Sequence, residues 1–361
     1  MNDKTLAFLK QSYKGYYFRK ADSIGFPDEI RSREFGYIPF GGGMVRHLSF
    51  KSAGDATAEI LRQSPSSVYC SNARYESPTL PMESKGWLGA ELIFDIDATD
   101  IPTPCKKSHD FWYCEKCHAS GRLPKPPACP KCKGQTADFH GTCSVCLAAS
   151  KEHTLRVVDF LLKDFGVSSK DVSAYFSGNR GYHLQVYDAR FEQLDQQGRA
   201  EIADYVMGGS LPPSVSLAAT LRRRPGGSPA EAYGWMRRIW TYTQPRSGSA
   251  GTPPKLVTEA ISLQRAMIDA SVTTDIHRVF RLAGTLHGNT GMAKMRVGSF
   301  STFDPERDPV VISAEKTSVQ VSLYPKFTMK GETFGPFKSE VVSLPAYAAV
   351  PILTRGFGDV L

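Results

Sequence analysis

The segment Glu91-Leu-Ile-Phe-Asp-Ile-Asp-Ala98 decides the fold, because it places two aspartates in the apolar run of a buried strand. Residues i and i+2 of a strand project from one face with Cα atoms about 6.5–7 Å apart, so Asp95 and Asp97 lie side by side. Two ionised carboxylates this close repel each other and lose hydration, and a bound divalent cation offsets both costs. The segment predicts a metal-binding strand. The alternative is a half-exposed strand with two solvated acids.

Composition predicts an ordinary globular chain with a polyanionic partner. The 361 residues suffice for one large domain or two modest ones, and the formal net charge is +8. The first residues lack an apolar segment of signal-peptide length, and no stretch approaches the length of a membrane span. We therefore expect a cytoplasmic protein with no membrane association.

Seven of the eight cysteines lie between Cys105 and Cys146, a clustering that in a reducing compartment favours metal ligation over disulfides. Two Cys-x2-Cys pairs separated by eleven residues have the spacing of a four-cysteine zinc ribbon, and the flanking ligands can close a second tetrahedral site. The rival pairing uses His118 or His140 as a ligand. We expect two structural zinc ions, with these ligand sets: Cys114, Cys117, Cys129 and Cys132; and Cys105, His109, Cys143 and Cys146.

Periodicity and turn residues predict the elements around these motifs. An opening helix comes first. Further elements are paired strands over Glu34–Phe40 and Met44–Phe50, a helix over 150–165 that stops at Gly166, and strands over Asp171–Phe176 and Tyr182–Tyr187.

The turn Ser177-Gly-Asn-Arg-Gly-Tyr-His183 offers backbone N–H groups and cationic side chains, which suit phosphate oxygens. The alternative is a plain hairpin turn with an incidental arginine.

Residues 190–260 have a helical and irregular pattern that predicts an inserted subdomain, with an exposed basic loop at Arg222–Pro229. Its tryptophans alternate with arginines, as in grooves that bind single-stranded nucleic acid. A helix that buries its tryptophans and solvates its arginines is the alternative. The residues concerned are Trp235, Arg237, Arg238 and Trp240.

The segment from Ile268 to Gly291 gives the most specific pattern. Asp275, Arg278 and Arg281 follow each other at spacings of three, which predicts a short helix with all three on one face. The sequence Thr285-Leu-His-Gly-Asn-Thr-Gly then predicts a turn into a strand. Together with the Asp-x-Asp strand and the glycine-rich turn, this segment resembles the catalytic small subunit of archaeal and eukaryotic DNA primase.

The resemblance implies an α+β fold of mixed β-sheets flanked by helices, with an inserted zinc-binding lobe and a small helical subdomain. It implies a catalytic domain formed by residues 1–104, 148–189 and 263–361. The zinc lobe would span 105–147 and the helical subdomain 190–262. The site with Cys105 and His109 resembles the single zinc site usual in the family, and the ribbon at 114–132 resembles an insertion within it.

The resemblance also implies roles for individual residues. Asp95, Asp97 and Asp269 would bind two catalytic Mg²⁺ or Mn²⁺ ions, with Asp275 as the competitor for the third place. A lysine or second arginine is frequent in the family where Asn179 stands. The triphosphate would be bound by Ser177, Arg180, His183, Arg281 and His287, with Glu34 and Arg46 near the incoming nucleotide.

The implied function is that of a primase, a DNA-dependent RNA polymerase that starts short primers on single-stranded DNA by two-metal nucleotidyl transfer. Its substrates would be ribonucleoside triphosphates, with deoxyribonucleoside triphosphates as a further possibility, and its partner the large primase subunit. Three alternatives remain: a repair polymerase of the same superfamily, a two-metal nuclease, and a non-catalytic zinc-ribbon subunit that binds nucleic acid.

Overall fold

The computed structural model describes residues 1–222, 233–246 and 252–361. Within them, no helix is both long and apolar enough to cross a bilayer. The α-helices are α1 (Asp3–Lys20), α2 (Ala53–Gln63), α3 (Lys106–His109), α4 (Ser144–Lys163), α5 (Ala189–Glu192), α6 (Gln196–Met207), α7 (Ser214–Arg222), α8 (Gly234–Thr243), α9 (Pro254–Gln264), α10 (Ala270–Thr274) and α11 (Ala346–Thr354).

The strands pair in antiparallel fashion throughout the described residues. They are β1 (Arg33–Ile38), β2 (Val45–Leu48), β3 (Ser67–Tyr75), β4 (Trp87–Ala90), β5 (Leu92–Asp97), β6 (Phe111–Cys114), β7 (Ser120–Arg122), β8 (Thr136–Phe139), β9 (Val172–Phe176), β10 (Gly181–Val186), β11 (Val279–Arg281), β12 (Met295–Arg296), β13 (Lys316–Tyr324), β14 (Phe327–Met329), β15 (Glu332–Phe334), β16 (Phe337–Pro345) and β17 (Gly358–Val360).

Two sheets carry most of the predicted site residues. One has the order β11-β3-β1-β2, with β4 also paired to β3, and the other has the order β12-β9-β10-β5. The second sheet packs α4 and the helices of the 190–264 region against its apolar face, where Leu92, Phe94 and Ile96 are fully buried. The opposite face therefore receives the aspartates, as the alternation of β5 predicts.

A second core lies under the first sheet and continues into the C-terminal part of the chain. It includes the aromatic face of α1 and almost all of α11. β13, β16 and β17 form a separate sheet, and β6, β7 and β8 form the three-stranded sheet of the cysteine-rich lobe. The mixed helices and sheets confirm the α+β class.

The helix predicted over 150–165 begins earlier, at Ser144, and ends at Lys163. Its first turn thus contains Cys146, and Cys143 is the residue that precedes it. The last two cysteines of the cysteine-rich lobe therefore lie at the start of α4. This lobe is joined directly to α4, the long helix that packs behind β5 and β10.

In the helical region, α8 buries Trp235 and Trp240, which agrees with the helix alternative. Its arginines are not simply solvated: Arg238 is buried, and its guanidinium bridges Asp159 and Asp164 at 2.6 and 3.0 Å. These tryptophans are therefore core residues. The predicted basic loop Arg222–Pro229 lies, after its first residue, outside the described residues.

The prediction of a helix that carries Asp275, Arg278 and Arg281 is wrong. α10 ends at Thr274, and the Asp275 side chain accepts a hydrogen bond from the backbone N–H of His277 at 2.9 Å, which turns the chain. Arg281 then lies on β11, paired with Tyr69 of β3. Val279 and Phe280 favour a strand, and pairing with β3 outweighs the weak local helix signal.

Candidate active site

The register between β5 and β10 brings the two predicted motifs together. His183 pairs with Asp95 and Gly181 pairs with Asp97. His183 Nε2 lies 3.6 Å from Asp95 Oδ1, and Arg180 Nε lies 3.4 Å from Asp97 Oδ1. A Cβ atom on Gly181 would lie 1.9 Å from the Ile96 carbonyl oxygen, so only glycine permits this pairing. The phosphate-type turn therefore opens directly beside the aspartates.

Asp269 is the third carboxylate that the structure brings to this point. Its backbone N–H donates to the Asp95 carbonyl oxygen at 2.9 Å. Its side chain caps α10 by accepting from Ser271 N at 2.9 Å and Ser271 Oγ at 2.6 Å. Asp275 instead forms the turn described above and lies 4.0 Å from Arg278. The fold thus places Asp269 rather than Asp275 next to the Asp-x-Asp strand.

The electrostatics of Asp95 fit a cation site. Burial, followed by repulsion from Asp97 and Asp269, raises the pKa of the Asp95 carboxyl to about 7. Its side chain is nevertheless 27 % exposed, so a ligand can reach it. A divalent cation would relieve this repulsion. Among the described residues, two groups of potential metal ligands have all their donor atoms within 4.8 Å of one another, and both contain cysteines. The oxygens of the three aspartates are spread more widely.

Arg281 and His287 come from separate elements and lie near His183 and Arg180. Arg281 comes from β11, and its guanidinium contacts Tyr69, with Nη2 3.5 Å from the hydroxyl oxygen. His287 comes from the following loop. Burial, then the nearby Arg281, lowers the pKa of His287 well below its usual range. Its Nδ1 accepts the backbone N–H of Asn289 at 3.1 Å, so its proton is on Nε2.

His183 is neutral for the same reasons. Burial, then Lys294 and Arg281, lowers its pKa well below the usual range, and its ring meets Phe280 edge to face. Both histidines are therefore donors of a neutral N–H rather than cations at neutral pH. The permanent positive charge of the site therefore resides on the arginines.

Three buried side-chain nitrogens of the predicted nucleotide-binding residues have no hydrogen-bond acceptor among the described residues. They are His183 Nδ1, Arg281 Nε and Arg180 Nε, the last of which is ion-paired with Asp97 at 3.4 Å without a hydrogen bond. An unsatisfied buried polar group costs about 1–3 kcal/mol, so such groups are retained where a ligand supplies the partner. The Arg180 side chain contacts Asp97, and the His183 side chain contacts Asp95. Arg281 lies close enough to His183 to affect its pKa. The oxygens of a bound anion would supply the missing acceptors.

The turn itself is tied to the His287 loop. Ser177 Oγ accepts the backbone N–H of Asn179 at 3.3 Å, and Thr290 Oγ1 donates to the Gly178 carbonyl oxygen. The His287 backbone N–H donates to Met292 O at 2.8 Å. These bonds hold the Ser177–His183 turn and the His287 loop next to each other, and we call the two together the phosphate-binding wall.

Glu34 and Arg46 lie on the first sheet as an ion pair, with Arg46 Nε 2.9 Å from Glu34 Oε1. The fully buried Glu34 also accepts from Lys85 Nζ. Burial opposes ionisation of Glu34, but its bonds to Arg46 and Lys85 prevail and lower its pKa. Glu34 therefore fixes Arg46, whose side chain is one-third exposed and available to a ligand.

A cleft of about 620 Å³ opens beside Arg281 and His287. The loop Gly41–Gly43, Tyr69 and Asn289 form other parts of its lining. This size is typical of sites for small organic ligands such as nucleotides. Arg281 and His287 are the predicted nucleotide-binding residues that line this cleft.

The two cysteine-containing groups have the expected ligand sets, without His118 or His140. In each group the four donor atoms lie within 4.8 Å of one another. In one, Cys146 Sγ lies 3.4 Å from Cys105 Sγ and 3.3 Å from His109 Nε2. In the other, the Sγ atoms of Cys114 and Cys132 are 3.5 Å apart. Either set could hold zinc. His140 instead bonds to Asp110, with Nδ1 3.0 Å from Oδ2.

Sequence reasoning missed two buried lysines. Lys294 is 2 % exposed, donates to the Arg281 carbonyl oxygen at 2.8 Å and stacks over the Tyr175 ring. Burial, then Arg281, lowers its pKa to about 7. Lys85 holds Glu34. Neither lysine lies in a recognisable motif, and only the packed structure shows that each supports a residue of the site.

The sequence matches a known protein family. The family described as DNA primase small subunit matches residues 138–298, a range that contains the turn, Asp269, Arg281 and His287. The polymerase domain of Mycobacterium tuberculosis Ligase D in complex with DNA aligns over 80 % of both chains, with 14 % identity and a TM-score of 0.37, too low to establish a shared fold.

Two relatives align over nearly their whole length. The DNA primase small subunit of Cenarchaeum symbiosum is 36 % identical, covering 99 % of this chain and 100 % of that protein. The DNA primase small subunit of Nitrosopumilus maritimus is 34 % identical over 98 % of both. Full-length similarity at this level places the whole chain, catalytic sheets and cysteine-rich lobe included, in one group of enzymes, and this protein belongs to the DNA primase small subunit family.

Proposed function

We propose that this chain is the catalytic subunit of a primase that starts short RNA primers on single-stranded DNA, working as a heterodimer with a large primase subunit. Family membership makes it a nucleotidyltransferase. The observation that supports the detailed assignment is the set of unsatisfied buried nitrogens of Arg180, His183 and Arg281, because the first two side chains contact Asp97 and Asp95. This arrangement suits a triphosphate next to a metal site.

In the proposed reaction, a 3′-hydroxyl attacks the α-phosphorus of a nucleoside triphosphate. A new phosphodiester bond forms, the bond to the β-phosphate breaks, and pyrophosphate leaves. Mg²⁺ or Mn²⁺ bound by Asp95, Asp97 and Asp269 would activate the hydroxyl and offset negative charge on the leaving group. The donor set fits, because hard carboxylate oxygens are what these ions prefer.

The remaining residues bind and orient the nucleotide. Arg180 and Arg281 supply positive charge to the β- and γ-phosphates, and Ser177 with the neutral His183 and His287 supplies uncharged donors. Arg46, held by Glu34, would contact the same nucleotide. Since the donors are fixed before the reaction, they stabilise charge as it develops without reorganising.

Zinc in the two cysteine-containing groups would have a structural role, because four protein ligands leave no position open for substrate. Template and substrate would be single-stranded DNA and ribonucleoside triphosphates, with deoxyribonucleotides as a further substrate to be tested. The net charge of +8 favours such anionic partners.

The test is synthesis on unprimed single-stranded DNA with labelled nucleotides and Mg²⁺ or Mn²⁺, with and without the large subunit. New strands from the wild type, absent with Asp95→Ala/Asp97→Ala, support a primase. Extension of an added primer without any new strands, even when the large subunit is present, would instead identify a polymerase that only extends ends.

A further inference from the structure

The cysteine-rich lobe meets the phosphate-binding wall at the main-chain oxygen of His140. Arg180 Nη1 donates to this oxygen at 3.4 Å, and Arg355 Nη1, from the end of α11, lies 3.5 Å from it. His140 directly follows β8, the strand at the edge of the lobe sheet. The position of the Arg180 guanidinium therefore depends on where the lobe places His140.

Asp110 determines that placement. One carboxylate oxygen lies 3.0 Å from His140 Nδ1, and the other accepts the backbone N–H of Gly141 at 3.1 Å. Asp110 thus holds the segment 140–141 by both side chain and main chain.

The same carboxylate holds His109, one of the four candidate zinc ligands. His109 Nδ1 lies 2.7 Å from Asp110 Oδ1, and its other ring nitrogen lies 3.3 Å from Cys146 Sγ. A carboxylate behind a ligating histidine fixes the tautomer and the ring orientation, and its loss typically weakens metal binding about 10–100-fold. Asp110 is the residue shared by the ligand group and the His140 segment.

A steric contact supports this coupling. A Cβ atom on Gly141 would lie 2.9 Å from both the Cβ and the carbonyl oxygen of His109. The backbone at 141 therefore rests directly against the candidate ligand. Movement of His109, as zinc binds or leaves, would be transmitted to the adjacent His140 carbonyl.

We infer that Asp110 is a positioning residue that couples the zinc group of Cys105, His109, Cys143 and Cys146 to nucleotide binding, through His140 and Arg180. The inference rests on the proposed function, in which Arg180 binds phosphate. It gives this zinc group a role beyond folding the lobe: zinc at His109 keeps Arg180 ready for the triphosphate.

The first experiment uses Asp110→Asn and His140→Ala in the full chain, with zinc content measured by metal analysis and ATP binding in Mg²⁺ measured by calorimetry. We expect the zinc-replete variants to bind ATP about tenfold more weakly, because the His140 carbonyl that accepts from Arg180 is no longer fixed by Asp110. Should Asp110→Asn lose zinc, His140→Ala decides, since His140 is outside the ligand group. The matched control is Asp138→Asn, an exposed acid of the same lobe, which should bind ATP normally.

A double-mutant cycle separates positioning from a general structural defect. In an Arg180→Gln background, His140→Ala should have no further effect on ATP binding. An equal loss in both backgrounds, or normal ATP binding by zinc-replete His140→Ala, would overturn the inference alone. Normal ATP binding by Arg180→Gln itself would instead overturn the phosphate role of Arg180 on which the inference rests.

Discussion

The two sides of the candidate site are built differently. The acidic side consists of Asp95, Asp97 and Asp269, two of them on one strand and the third bonded to that strand's backbone. The cationic side draws Arg180, His183, Arg281 and His287 from a turn, two strands and a loop. On the acidic side, all three carboxylates would be needed to bind the same metal ions. On the cationic side, each residue would donate its own hydrogen bond to the nucleotide. We therefore expect a single substitution on the acidic side to abolish most of the activity, and single substitutions on the cationic side to reduce activity by smaller and differing amounts.

The largest expected effect is that of Asp95→Asn. The amide keeps the shape of the carboxylate but removes the charge required for metal binding, so primer synthesis should fall by roughly 10³-fold or more. The measurement is kcat/KM for primer synthesis, together with Mn²⁺ binding by calorimetry. A variant that retains both properties would remove Asp95 from the metal site.

The next effect is that of Arg281→Gln, which removes one of two arginines from the cationic side. We expect a loss on the order of 10²-fold in kcat/KM, with metal binding unchanged. Arg62→Gln, an exposed arginine of α2 paired with Glu59, is the matched control and should behave as wild type. An Arg281→Gln loss as large as that of Asp95→Asn would contradict the expected difference between the two sides.

His287→Ala should cost less, about tenfold, because one neutral donor among several is lost. Since the pKa of His287 lies well below its usual range, this loss should stay constant between pH 6 and pH 8. Rates of wild type and variant across that interval provide the measurement. A loss that grows as the pH falls would show that His287 acts as a cation instead.

The smallest effect on catalysis and the clearest effect on stability should come from Lys294→Met. The pKa of the buried Lys294 is lowered from 10.5 to about 7, so the folded chain binds fewer protons there than the unfolded chain between these values. Lysine burial therefore costs most below pH 7, and this cost disappears as the pH rises towards 10. The variant should gain on the order of 1–3 kcal/mol at pH 6.5 and much less at pH 9.5.

Denaturant unfolding of the metal-free chain at the two pH values measures this gain. Lys170→Met, at an exposed lysine, is the control and should show no such pH dependence. An equal gain at both pH values would mean that added apolar packing, rather than the buried charge, accounts for the difference.

The sequence was most informative where function depends on local spacing. The Asp-x-Asp strand and the Cys-x2-Cys pairs could be recognised because neighbours in the chain are also neighbours in the site. The Asp275–Arg281 helix was mispredicted because strand pairing with β3 is a long-range effect that local periodicity does not contain. Lys294 and Asp110 were not identified for a similar reason: each acts through a partner that is distant in sequence or brought close only by folding.

The pairing of β5 with β10 has a consequence for how such an enzyme can diverge. The spacing between the aspartates and His183 is set by main-chain hydrogen bonds, which restrict side-chain identity at Gly181 but leave it open at most other positions of the two strands. Substitutions elsewhere can therefore alter the surroundings of the aspartates without changing their distance from His183. A change in loop length between Ser177 and Arg180 would shift the arginine and leave the strand register intact. The turn and the loops around the aspartates can thus change while the spacing within the strand pair is kept.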